Sequence, residues 1–314
     1  MKRRDFLKTG VAAIGAVSLP EPLMAMGRRA SDRGIKAKRV LMLALDGIRV
    51  DGFQKAYTPN LDALMAEGVL SLNTRVVMPS ITLPNWTSIL TGSGPELHGV
   101  GDNKWTLSDR TLPPLESDED GYYPSIFKVL KDNMPQVKTA FYWNWEPLIG
   151  TMNQKYIDDK NFLGDNGYVE NYDRAFEFMK DNRDSPAVVF LYSVHTDHAG
   201  HLHHWMSDEY IKAIEEADVE IGRLVGRMKA EGIYDDTHIF FLSDHGGNGT
   251  GHREFIPHVM EVPWGLSGPG VRKGVRMEEP NNHLNTASVI LRLFNVEQPA
   301  CWVGEVPHSI FCNK

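Results

Sequence analysis

Cysteine is almost missing: the 314 residues hold two, Cys301 and Cys312, both near the C-terminal end. Two thiols cannot build a disulfide scaffold or a thiolate metal site, so the fold has to rest on a hydrophobic core. Paired in an oxidising compartment they would tie down the tail, worth at most about 3 kcal/mol for so short a loop. Two separate thiols fit the sequence equally well. The body of the chain has no run of Lys or Arg, and the formal net charge is −8. An acidic surface repels a polyanion, which excludes a nucleic-acid polymer as partner. Internal repeats and low-complexity blocks are absent. What is present is ordinary globular composition, 42% hydrophobic and 24% charged, with material for a large core.

The N-terminus reads as an address. MKRRDFLKTGVAAIGAVSLP places Arg3 and Arg4 ahead of Phe6, Leu7 and Lys8, then a weakly apolar stretch ending at Pro20. This is the pattern of a twin-arginine export signal. Residues 9–19 are too few to cross a bilayer, so no transmembrane anchor is expected after cleavage behind Ala25 or Ala30. Residues 1–30 are assigned to signal and linker, residues 31–314 to one catalytic domain, and the mature chain to the periplasm or beyond.

Within the domain, apolar runs alternate with amphipathic segments. RVLMLALDG (39–47), KTAFYW (138–143), AVVFLYSVHTD (187–197) and THIFFLSDHGG (237–247) are unbroken enough to be strands covered on both faces. Helices are expected over 58–68, 123–133, 169–182 and 207–232, the first with Pro59 in its opening turn. Alternation of this kind predicts an α/β fold with a largely parallel central sheet covered by helices on both faces. Ligands bind such sheets beyond the carboxyl ends of the strands.

Three of the four strands end in ionisable side chains: Asp46, then Asp197 and His201, then Asp244 and His245, with His252 a short step further on. Carboxylates and imidazoles crowded on one sheet edge repel and desolvate one another unless a cation neutralises them. The nitrogen and oxygen donor mix suits Zn²⁺ better than Mg²⁺ or Ca²⁺, and the ligands suffice for two ions. Gly246, Gly247, Gly249 and Gly251 are expected to let the chain turn so that Asp244, His245 and His252 reach inward. His258 is the alternative to His252.

A nucleophile is expected in MPSITLPNWTSILTG (78–92). Pro84 suits a first helical turn, which puts Thr82 just ahead of a helix N-terminus where the amide dipoles favour an anion. A hydroxyl there, beside zinc, loses its proton near neutral pH. Asn85 would offer an amide to a phosphoryl oxygen, and Ser80 is the alternative nucleophile. Trp143 and Trp145 are read as core residues or walls of a substrate pocket, and the acidic run at 116–121 as a solvated loop.

ALDG, TLPNWTSILTG, DHAGH and SDHGG…GH, in this order, resemble the alkaline phosphatase superfamily, in particular its type I phosphodiesterase and nucleotide pyrophosphatase branch. The resemblance implies an alkaline phosphatase-like fold and a two-zinc site, one ion on Asp46, Thr82, Asp244 and His245 and the other on Asp197, His201 and His252. It implies hydrolysis of a small phosphate ester, foremost a diester, through a phosphoryl-threonine at Thr82 that water then releases. Trp86 departs from the smaller or imidazole side chain usual there, which points away from a nucleotide substrate. Phosphomonoester or phosphonate hydrolysis on the same site, and a catalytically idle metal-bearing envelope protein, are the alternatives. The Cys or Ser followed by x-Pro-x-Arg that sulfatases need is absent.

Overall fold

The computed structural model describes residues 37–164 and 167–311. The expected export signal lies outside these residues, and so does Cys312, hence the question of its pairing with Cys301. In chain order the elements are β1 (Arg39–Leu45), α1 (Val50–Lys55), α2 (Pro59–Ala66), β2 (Gly68–Arg75), α3 (Thr82–Thr91), α4 (Pro95–His98), α5 (Ile126–Asn133), β3 (Lys138–Trp143), β4 (Asp159–Phe162), α6 (Tyr168–Asp181), β5 (Ala187–Ser193), α7 (His195–His203), α8 (Asp208–Ala230), β6 (Thr237–Leu242), α9 (Pro257–Met260), β7 (Glu261–Ser267), β8 (Val275–Arg276) and α10 (Asn285–Phe294).

The eight strands form one sheet in the order β4-β3-β5-β1-β6-β7-β2-β8. Every pairing is parallel except those of β7, which runs against both β6 and β2. All seven residues of β1 are buried, as a strand covered on both faces must be. Its side chains alternate between two cores. Val40, Met42 and Ala44 join Trp86 and Leu90 of α3, Phe127 of α5 and Ile290 of α10. Leu41, Leu43 and Leu45 face Leu61 of α2, Phe176 of α6 and Ile221 of α8. The expected three-layer α/β architecture is therefore present.

Two local expectations are corrected. Residues 194–197 do not continue β5: the chain turns into α7 at His195, so DHAGH is helical. The strands β2 and β7 and the helix α10 fall in stretches for which no element was expected, and β7 makes the sheet mixed. For the site, the central consequence is that β5, β1 and β6 lie side by side and end together.

Candidate active site

Every carboxylate and imidazole of the expected ligand set is delivered by a segment leaving the carboxyl end of one of these three strands, and Thr82 by α3, which follows β2. Asp46 directly follows β1, where its N–H donates to the Ser193 carbonyl at 3.0 Å and its own carbonyl accepts from the Thr196 hydroxyl. Gly47 then turns with φ +73°, and a Cβ there would come within 3.0 Å of Asp197. Only glycine allows both the turn and the approach. Asp197 and His201 stand one turn apart on α7 and so share a face, His201 Nε2 lying 3.4 Å from Asp197 Oδ2. Asp244 and His245 follow β6, and His252 returns to stack on His245 with ring centroids 3.8 Å apart.

The protein fixes one end of each group and leaves the other pointing inward. Asp46 Oδ2 accepts from Trp86 Nε1 at 3.2 Å and from the Tyr192 hydroxyl, while its Oδ1 is buried without a hydrogen-bond partner. Asp244 Oδ1 accepts from Gly47 N at 3.1 Å, and Asp244 Oδ2 is likewise buried and unpartnered. Asp197 Oδ1 is a third such oxygen. The imidazoles behave alike. Nδ1 of His245, His252 and His201 lies 2.9, 2.7 and 2.7 Å from the backbone carbonyls of Gly246, Ser80 and Thr250. A carbonyl can only accept, so each Nδ1 carries a proton; in the neutral ring, which burial favours for His245 and His252, Nε2 then presents a lone pair.

With the carboxylates ionised, lone pairs therefore face lone pairs. His245 Nε2 lies 3.2 Å from Asp244 Oδ2 and 3.5 Å from Asp46 Oδ1, with all three residues fully buried. An imidazolium would relieve this, but burial, reinforced by neighbouring His252, pushes His245 well below the usual imidazole range. Burial raises Asp46 to about 6 against the downward pull of its hydrogen bonds from Tyr192 and Trp86, and burial with the Asp46 charge drives Asp197 and Asp244 well above the carboxylate range. Such an arrangement is costly without a cation and favourable with one. The spacing fits too: two ligands about 2.0 Å from a tetrahedral ion stand about 3.3 Å apart. Two triads, Asp46–Asp244–His245 and Asp197–His245–His252, hold their ligand atoms within 4.8 Å of one another.

Asp46, Asp197, Asp244, His245 and His252 come together, with His245 common to both triads. His201 belongs to neither triad and reaches the cluster through Asp197, its ring 5.0 Å from that of His252. His258, the alternative to His252, is 56% exposed and faces Asp51 at 3.8 Å. Ser80 is excluded as nucleophile: it is fully buried, and its hydroxyl donates to the His252 carbonyl while its carbonyl accepts from the His252 ring. Thr82 is the first residue of α3 rather than the residue before it. It sits between two tethers to the cluster, Ser80 on His252 and Trp86 on Asp46.

Asn85 is a correction. It is fully buried, its Oδ1 accepts from Val77 N at 3.0 Å, and its Nδ2 donates to the Pro79 and Ile81 carbonyls at 2.9 Å each. Both amide hydrogens are spent on shaping the loop before α3, and none is left for a phosphoryl oxygen. The half-buried amide at this helix end belongs to Asn103, whose Oδ1 accepts from Leu83 N at 2.9 Å, which leaves Nδ2 as its donor side.

The cluster's supports carry no local signature in the sequence. Trp205 Nε1 donates to the Gly47 carbonyl at 2.9 Å, and its ring lies edge-on to His201 and His252. A Cβ on Gly247 would fall 2.1 Å from that ring, and one on Gly246 would fall 2.0 Å from the His258 carbonyl. These two glycines serve close approach, Gly249 alone of the four takes a left-handed turn at φ +58°, and Gly251 meets neither demand. Trp86 lies in the core beneath Asp46 and so says nothing about substrate choice. Trp143 is both core residue and wall: 7% exposed, it lines a cleft of about 990 Å³ with Trp105, Tyr122 and Phe162.

A largely parallel sheet that collects acidic and imidazole donors at the ends of its middle strands defines the alkaline phosphatase-like class. Within it, the family model described as type I phosphodiesterase / nucleotide pyrophosphatase matches residues 40–263. The chain belongs to that family, whose members are metal-dependent hydrolases of phosphate esters. An uncharacterized pyrophosphatase/phosphodiesterase of Schizosaccharomyces pombe is 29% identical over 230 residues, 66% of this chain and 44% of that protein. The bis(5'-adenosyl)-triphosphatase ENPP4 of Bos taurus is 24% identical over 70% of this chain and 50% of its own length. The chain thus spans half or less of these curated relatives. Among solved structures, human ectonucleotide pyrophosphatase / phosphodiesterase 5 superposes with a TM-score of 0.68 at 14% identity, covering 85% of this chain and 97% of that one.

Proposed function

We propose that this protein is an exported hydrolase of small phosphate esters, foremost diesters, that works with two zinc ions and Thr82 as nucleophile. The observation that carries the proposal is the set of buried inward-facing atoms, Asp46 Oδ1, Asp197 Oδ1, Asp244 Oδ2 and His245 Nε2, for which the protein supplies no partner. Asp46, Asp244 and His245 with Thr82 would hold one ion, and Asp197, His201 and His252 the other. When bound, the ions supply charge neutralisation at the phosphoryl oxygens and lower the pKa of a coordinated hydroxyl.

The chain's own residues then have these tasks. Thr82, at the amino end of α3, gives up its hydroxyl proton to a solvent water, which passes it on to the leaving alcohol oxygen, and attacks phosphorus in line, forming a bond from Oγ1 to phosphorus. The opposite ester bond breaks, its electron pair leaving with the alcohol oxygen, which takes a proton from water. Asn103 Nδ2 and the Thr82 N–H would face the equatorial oxygens, where charge accumulates, while the Leu83 N–H stays on Asn103 Oδ1 and that of Asn85 on the Ile81 carbonyl. Water then attacks the phosphoryl-threonine, breaking the bond to Oγ1 and returning the proton to Thr82. Ser80 and Trp86, on either side, keep the α3 start in register with His252 and Asp46.

Export rests on the Arg3–Arg4 pattern; no helix among the described residues is long and apolar enough to cross a membrane. The test combines metal analysis with turnover of bis-p-nitrophenyl phosphate and p-nitrophenyl phosphate. The proposal requires two zinc per chain, faster diester turnover, and a Thr82→Ala variant that keeps its metal but loses at least about 10³-fold in kcat. One ion per chain, or an active Thr82→Ala, refutes the mechanism; faster monoester turnover moves the substrate class.

A further inference from the structure

Asp46 is held from behind. Its Oδ2 accepts from two neutral donors at once, Trp86 Nε1 at 3.2 Å and the Tyr192 hydroxyl at 2.5 Å. Asp46, Trp86 and Tyr192 are all fully buried. The two rings meet edge-on, 5.6 Å apart at 90°, and both pack on Phe190. Trp86 belongs to α3 and Tyr192 to β5, so neither donor can withdraw without opening a hole between helix and sheet. The oxygen left to face His245 Nε2, at 3.5 Å, is Oδ1.

A carboxylate serves a cation with one oxygen or with both. Small tetrahedral ions take one oxygen per carboxylate, whereas larger oxygen-seeking ions such as Ca²⁺ gather six to eight donors and use bidentate carboxylates. For Asp46 to turn and offer both oxygens, it would have to abandon both donors, leaving an indole N–H and a phenol buried without an acceptor. The rotation is therefore blocked by groups that never touch the ion.

Building on the metal-site reading above, we propose that Trp86 and Tyr192 are positioning residues that confine Asp46 to one-atom ligation through Oδ1, and that they thereby select a four-coordinate cation over a larger, oxygen-seeking one. The indole and the phenol share this task, so loss of either weakens the selection and loss of both abolishes it.

The experiment uses the full chain, stripped of metal and reloaded with Co²⁺, whose visible absorption reports coordination number, followed by competition between Zn²⁺ and Ca²⁺. Trp86→Phe and Tyr192→Phe keep an aromatic ring and delete the donor. The native protein is expected to give the intense bands of four-coordinate Co²⁺. Each variant should give weaker bands, bind Zn²⁺ about 10- to 100-fold less tightly, and yield the ion to Ca²⁺ at lower concentration. Folded variants with native spectra and native competition overturn the inference while leaving the metal site intact. A native protein that takes up neither Co²⁺ nor Zn²⁺ overturns the metal-site reading and this inference with it. Should the variants fail to fold, a crystal structure of the zinc-loaded native protein decides. Ligation by Oδ1 alone supports the inference, and ligation by both Asp46 oxygens refutes it.

Discussion

Asn85 and Asn103 stand at the same helix end, and their environments assign them opposite jobs that mutation separates. Asn85→Ala removes three hydrogen bonds from a fully buried amide. The Pro79 carbonyl keeps the Ile81 N–H and the Ile81 carbonyl keeps the Asn85 N–H, so each of these losses costs about 1 kcal/mol. The Val77 N–H loses its acceptor, at about 1–3 kcal/mol. The sum is about 3–5 kcal/mol of stability, read as a lower urea midpoint at unchanged m. For Asn103→Ala the reverse is expected. Its structural loss is one cap on Leu83 N, about 1 kcal/mol. Loss of an oxyanion donor, however, costs about 10²- to 10³-fold in kcat, or about 2.7–4 kcal/mol of barrier. Asn103→Asp retains the capping oxygen and removes the donor, so it should be as inactive as Asn103→Ala and closer to native in stability. The two measurements are urea unfolding and hydrolysis of bis-p-nitrophenyl phosphate. A stable but inactive Asn85→Ala together with an active Asn103→Ala would refute the reassignment.

Two more outcomes follow from the same geometry. Gly247→Ala forces a methyl to within 2.1 Å of the Trp205 ring, and with Gly47 and His252 on the ring's other contacts it has nowhere to yield. We expect a loss of about 2–3 kcal/mol in stability and weakened metal retention in a chelator titration, whereas a native-like variant would show the loop to be plastic. His252→Ala should lower metal content or affinity while His258→Ala leaves both unchanged. The opposite pattern by elemental analysis would return the ligand role to His258.

The cluster was readable because its signal is local. An apolar strand that ends in Asp or Asp-His is visible as such, and the parallel sheet follows from alternation, so the neighbourhood of Asp46, Asp197 and Asp244 could be anticipated. The helical state of DHAGH could not: residues 194–197 continue an apolar run, and only the tertiary fold decides that the chain turns at His195. The Asn85 assignment went astray for a related reason. A spacing of three on one helix says nothing of the loop that curls back over it, whereas Asn103 reaches Leu83 across 20 residues. Tyr192 was opaque because an aromatic residue in an apolar strand reads as core packing whether or not its hydroxyl meets a carboxylate, and Trp86 and Trp205 because no local pattern says which acceptor an indole N–H will meet.

Trp205 touches all three segments that carry the inward-facing groups: Gly47 after β1, Gly200 and His201 on α7, and Gly247 and His252 after β6. A keystone of this kind makes the three segments evolve as one. A library that varies any single loop to change the chemistry will be dominated by failures at the indole, and productive variants should carry a compensating change at position 205. Redesign of this site would therefore start from the tryptophan and work outward to the ligands.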